Sequence, residues 1–80
     1  MNDILTRVQE AFRETFGAET PAITIETTPA NIPAWDSVGH LTLASNIERL
    51  FGISFDVDEM MEMEDVRAIL RVIAAKLSRS

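Results

Sequence analysis

The chain has 80 residues, 46% of them apolar, and a formal net charge of −6. That is the size of one small domain, 1–80, too apolar for a disordered chain, and with no cysteine to supply a disulfide or a thiolate metal site, so packed helices are the natural solution. Thirteen acids against 7 Lys and Arg exclude nucleic acid as a partner, because binding phosphate needs clustered bases, and no apolar run approaches the length of a membrane span.

Residues 3–16 are expected to form an amphipathic helix. Ile4, Leu5, Val8, Phe12 and Phe16 recur at helical spacing, Asn2 or Asp3 can cap the start, and Gly17 stands where a glycine stops a helix. Residues 17–35 are a long connection with Pro21, Pro29 and Pro33. Ile23, Ile25, Ile32 and Trp35 suggest a loop pinned to the core. Ile23-Thr24-Ile25 alternates like a strand but has no partner strand, and Thr28-Pro29-Ala30-Asn31 can make one helical turn with Thr28 as cap.

A second helix is expected over 36–51, with Leu43, Ile47, Leu50 and Phe51 on one face, Leu41 and Ala44 beside it, and Gly52 closing it. Residues 56–62 form a short helix carrying Val57, Met60 and Met61. Residues 65–78 form the last, striped by Val66, Ile69, Leu70, Ile73 and Leu77, with Lys76 and Arg79 suiting the negative end of its dipole. The fold class is therefore all-α: a small four-helix bundle of three main helices and one short one, with a long first loop.

Six acids, Asp56, Asp58, Glu59, Glu62, Glu64 and Asp65, fall together with no base among them. As a calcium loop the run fails. From Asp56, Met60 stands at the fifth position, Met61 where glycine is needed, and Arg67 where the bidentate glutamate belongs. It reads as a solvated face or as a docking surface for a basic protein. His40 is the one histidine, so a zinc site is excluded, and a Ser37–His40 pair has no third orienting group. Met60, Met61 and Met63 are expected in core and rim packing. The N-terminal residues lack a signal-peptide pattern, which points to the cytoplasm, and nothing demands more than a monomer.

Asp36-Ser37 carries the sequence's sharpest signal. Asp is a preferred N-cap, and most such pairs are only caps. A helix N-terminus also favours phosphate, through free N–H groups and the positive dipole end. Gly39 is a poor helix residue, and its missing side chain is expected to leave room beside Ser37.

Taken together, "WDSVGHL" opening a helix after a long Pro-containing loop, "ERLFGISF" closing it, and an acidic short helix before a final amphipathic one resemble a discrete, stand-alone acyl carrier protein over nearly all 80 residues. The resemblance implies a non-catalytic carrier. Ser37 is the covalent attachment residue for 4′-phosphopantetheine, donated from coenzyme A by a phosphopantetheinyl transferase with magnesium. Asp36 caps the helix and serves transferase recognition. The arm's thiol would be the only one on the protein, holding fatty, polyketide or other acyl intermediates as thioesters. An acyl-loading ligase or acyltransferase and the pathway's synthases or transferases are the implied partners, with Val38, Leu41, Thr42, Glu48, Asp56, Asp58, Glu59 and Glu62 as the contact surface.

The second helix departs from the acid-rich docking face of fatty-acid carriers: Gly39, Thr42, Ser45 and Asn46 hold its polar positions, and Glu48 is offset by Arg49. Ala34-Trp35 stands where peptidyl carriers commonly have two glycines. A dedicated polyketide, specialised-lipid or sugar pathway fits better than bulk fatty acid synthesis. A carrier of an amino or aryl acid is the alternative within the family, and an unmodified helical interaction module is the rival from another class.

Overall fold

The structure is a computed structural model that describes residues 2–79, with side chains described for 4–78. Four helices follow in order: α1 Asn2–Phe16, α2 Ser37–Phe51, α3 Val57–Glu62 and α4 Val66–Arg79, with a single 3-10 turn at Pro29–Asn31. There is no strand among the described residues. The four helices match the sequence expectation to within a residue at each boundary.

Helix ends sit where local chemistry puts them. Gly17 and Gly52 hold φ of 108° and 66°, a region side chains avoid, and their N–H groups bond to the carbonyls of Arg13 and Glu48. Thr28 and Asn31 bond reciprocally in a capping box around the 3-10 turn, and Asp56 and Glu59 do the same around α3. Asp65 Oδ1 accepts from the Ala68 N–H at 2.8 Å and so starts α4. The side chains of Asn2 and Asp3, expected as caps for α1, and of Arg79 lie outside those described.

The core is a slab between α1, α2 and α4, centred on Phe12, Leu43, Ile47, Met63, Ile69 and Ile73, all essentially inaccessible. The long loop is pinned as expected. Ile23, Ile32 and Trp35 are buried, Gln9 clamps Ile23 N–H and the Pro21 carbonyl to α1, and the Val66 N–H bonds to Thr27 O. Across α1 and α2, Asn46 donates to Thr15 Oγ1 at 2.8 Å.

Five apolar positions differ from expectation, among them Leu77, which is exposed at the end of the α4 stripe. Ile25 is exposed in a turn after the buried Ile23. Leu41 is 59% exposed because two residues are about 200° around a helix, which sets it opposite Leu43. In α3, Met60 faces inward with Met63 following it into the core, whereas Val57 and Met61 share the other face at i,i+4 spacing and are each 71% exposed. Lys76 does not simply cap the α4 dipole: its Nζ lies 2.7 Å from Glu59 Oε1 and ties α4 to α3.

Candidate functional site

Ser37 is the first residue of α2 and is exposed. The Pro33-Ala34 turn, closed by the Trp35 N–H to Ile32 O bond, delivers the chain to Asp36 in an extended conformation. Asp36 Oδ1 then accepts from the Gly39 N–H at 2.8 Å, and its carbonyl from the His40 N–H at 2.7 Å. The cap expected from the sequence is therefore made. The N–H groups of Ser37 and Val38 take no acceptor among the described residues, so two free donors at a positive dipole end flank the Ser37 hydroxyl.

Gly39 does not open space beside Ser37, as the sequence suggested. It sits about 200° around the helix from Ser37 and faces inward. A Cβ placed there would lie 2.5 Å from the Ala34 carbonyl oxygen and 2.8 Å from Phe16 Cε1. The glycine lets the loop backbone lie directly on α2. Gly39→Ala is expected to cost about 1–3 kcal/mol by overpacking, despite alanine's better helix propensity. Urea denaturation checks this; a stabilised Ala variant would contradict the close approach.

The open space lies on another side. A groove of about 630 Å³ runs from Asp36 and Ser37 between α2 and α3, with Leu41 and Met61 at its sides and Trp35 and Met63 in its floor. His40 also lines it, and its role was not legible in the sequence. Trp35 Nε1 donates to His40 Nδ1 at 2.9 Å, and His40 Nε2 lies 2.9 Å from the Met60 carbonyl. The indole N–H can only donate, so Nδ1 accepts and Nε2 carries the proton. The Trp35 and His40 rings are 18° from parallel with centroids 6.1 Å apart, an edge-to-edge pair set by the in-plane hydrogen bond rather than a face stack. With both ring nitrogens engaged, His40 is not a base for Ser37. The Ser–His pair considered from sequence is not assembled.

The remaining expected contact residues divide. Val38 is 74% exposed, and Leu41, Thr42, Asp56, Asp58 and Glu62 are exposed as well. Glu48 turns inward, accepting from the Phe55 N–H at 2.8 Å, and Glu59 is held by the Asp56 N–H and Lys76. No group of three or more His, Cys, Asp or Glu among the described residues could hold a metal ion.

The model of the phosphopantetheine attachment site family matches residues 6–73. The chain belongs to that family. Its fold is that of an acyl carrier protein: 95% of the chain superposes on 87% of the holo acyl carrier protein of Geobacter metallireducens, with a TM-score of 0.84 and 29% identity. It is also 32% identical over 79 residues to the non-reducing polyketide synthase pkdA of Emericella nidulans, covering 99% of this chain and only 3% of that synthase's length. The domain of this family and fold is a carrier without catalytic activity of its own. No helix among the described residues is long and apolar enough to cross a membrane.

Proposed function

We propose that this carrier domain is esterified with 4′-phosphopantetheine at Ser37 and carries acyl intermediates of a polyketide-type or other specialised pathway to partner enzymes. The observation that carries the reading is the exposed Ser37 hydroxyl at the N-terminus of α2, opening onto a groove large enough to receive the arm. The residues present fit the group: Ser37 is unhindered, and the two free N–H groups beside it favour a phosphodiester.

In the modification Ser37 Oγ forms the new O–P bond, the pyrophosphate P–O bond of coenzyme A breaks and releases adenosine 3′,5′-bisphosphate, and the hydroxyl proton leaves to a base that the transferase supplies. When bound, the group supplies the thiol on which an acyl chain is held as a thioester. Ser37 and Asp36 fix where that arm begins. Asp36 keeps the end of α2 wound and places a carboxylate beside the serine for the transferase. Val38, Leu41 and Met61 form an apolar contact surface near the serine, and Asp58 and Glu62 give it an acidic border suited to basic enzyme patches. Similarity to a polyketide synthase favours polyketide cargo over bulk fatty acids. A cytoplasmic location, where coenzyme A is available to the transferase, belongs to the same proposal.

Incubation with coenzyme A, magnesium and a broad-specificity phosphopantetheinyl transferase is expected to add one phosphopantetheinyl group by intact mass. No gain overturns the carrier reading. Two variants separate Asp36's roles. Asp36→Asn keeps a capping oxygen and is expected to retain stability while slowing modification. Asp36→Ala is expected to slow modification and also to lose about 0.5–2 kcal/mol. Normal modification kinetics for both would reduce Asp36 to a cap.

A further inference from the structure

We propose that His40 is a positioning residue that latches α3 to α2 and keeps the bundle interior closed, so that cargo carried at Ser37 rests in the open groove and does not enter between the core helices. The proposal rests on the Ser37 reading given above.

The groove and the core are separated by one thin layer. Trp35 supplies part of it: its ring lines the groove and also meets Phe12, which is fully buried, edge-on at a centroid distance of 5.0 Å. Met63, 1% exposed, lines the same floor from the α3 side. His40 joins the two across the seam, accepting from Trp35 through Nδ1 and donating to the Met60 carbonyl through Nε2. A chain passing through the seam would strip the indole N–H and the carbonyl of their partner in a part-buried site, an unfavourable exchange for any apolar cargo.

α3 depends on such ties. A helix of 6 residues does not hold itself in water, so its position comes from its anchors. Glu59 with Lys76 anchors its first half to α4, and Met63 anchors the residue after its end in the core. On the α2 side, the bond to Met60 O reaches the second half of the helix. Without His40 that half is free to swing from α2 and widen the groove toward the core, in which Ile47 and Ile69 are fully buried. One histidine thus sets how deep the carried chain can go, which makes it a determinant of cargo shelter.

The test has two arms. In the unmodified protein, ¹⁵N spectra of the imidazole are expected to report the Nε2–H tautomer, with a slowly exchanging Trp35 indole proton that exchanges faster in His40→Phe. An Nδ1–H tautomer, or equal exchange in the two proteins, overturns the latch. The second arm uses octanoyl-loaded protein and methyl spectra. In the wild type, loading is expected to shift Leu41, Met60 and Met61 and to leave Ile47 and Ile69 unmoved. In His40→Ala it is expected to shift Ile47 and Ile69 and to slow thioester hydrolysis several-fold. Wild-type shifts at Ile47 and Ile69, or a variant identical to the wild type, overturn the closed interior. Should His40→Ala not fold, His40→Phe, which can neither accept from the indole nor donate to the Met60 carbonyl, takes its place; a wild-type tautomer other than Nε2–H refutes the latch without any variant. Failure to load either protein overturns the carrier reading, and the cargo half of the proposal with it, while the first arm still decides the latch.

Discussion

Replacing Ser37 with alanine is expected to abolish modification completely while leaving the fold unchanged. The serine is exposed, its side chain makes no hydrogen bond among those described, and alanine is well tolerated in a first helical turn. Its loss should therefore move stability by no more than about 0.5 kcal/mol, as for other surface substitutions. Modification, by contrast, needs the Oγ as nucleophile, and no neighbouring hydroxyl shares the free N–H groups at this helix end. Intact mass after transferase treatment and a urea titration measure the two quantities on one sample. Residual mass gain in the variant would move the site elsewhere, and a large loss of stability would make Ser37 a structural residue.

Trp35→Ala is expected to have the largest effect on stability. The ring is 5% exposed, packs on Phe12 and satisfies His40, so its truncation combines a cavity with an unpaired imidazole nitrogen. Losses for buried aromatics run to about 3–5 kcal/mol. A domain of 80 residues has roughly 4–12 kcal/mol in total at about 0.05–0.15 kcal/mol per residue, so the variant should be marginal or unfolded at room temperature. Trp35→Phe keeps most of the packing, loses the N–H, and is expected to lose about 1–3 kcal/mol. Equal stability of Trp35→Phe and wild type would show that the Trp35–His40 bond adds nothing to the fold.

The helices were legible because apolar spacing and end signals agreed. Phe12 and Phe16 followed by Gly17, and Leu50 and Phe51 followed by Gly52, mark helix ends by composition alone. Thr28-Pro29 gave the 3-10 turn for the same local reason. The Asp36 cap was legible because it spans three residues. What stayed hidden depends on contacts remote in sequence. Gly39 looked like room for a bulky group, yet the space is filled by the Ala34 carbonyl and Phe16, which only the path of the loop brings there. The acceptor for His40 is a backbone carbonyl 20 residues away, and a carbonyl leaves no mark in residue identity. Glu48 and Glu59 look like solvent-facing acids in sequence but are held by the Phe55 N–H and by Lys76. The exposure of Leu41 and Met61 was legible in principle, since helical phase alone sets each opposite its buried neighbours.

Attachment of the prosthetic group to the Ser37 hydroxyl is what the carrier role depends on. It is tested most directly by fragmenting the transferase-treated protein in the mass spectrometer and locating the added group. The chain offers five serines, at 37, 45, 54, 78 and 80, so the assignment is a real choice. A single phosphopantetheinyl group on Ser37 is expected. The group on any other serine, or a chain that stays unmodified, would contradict it.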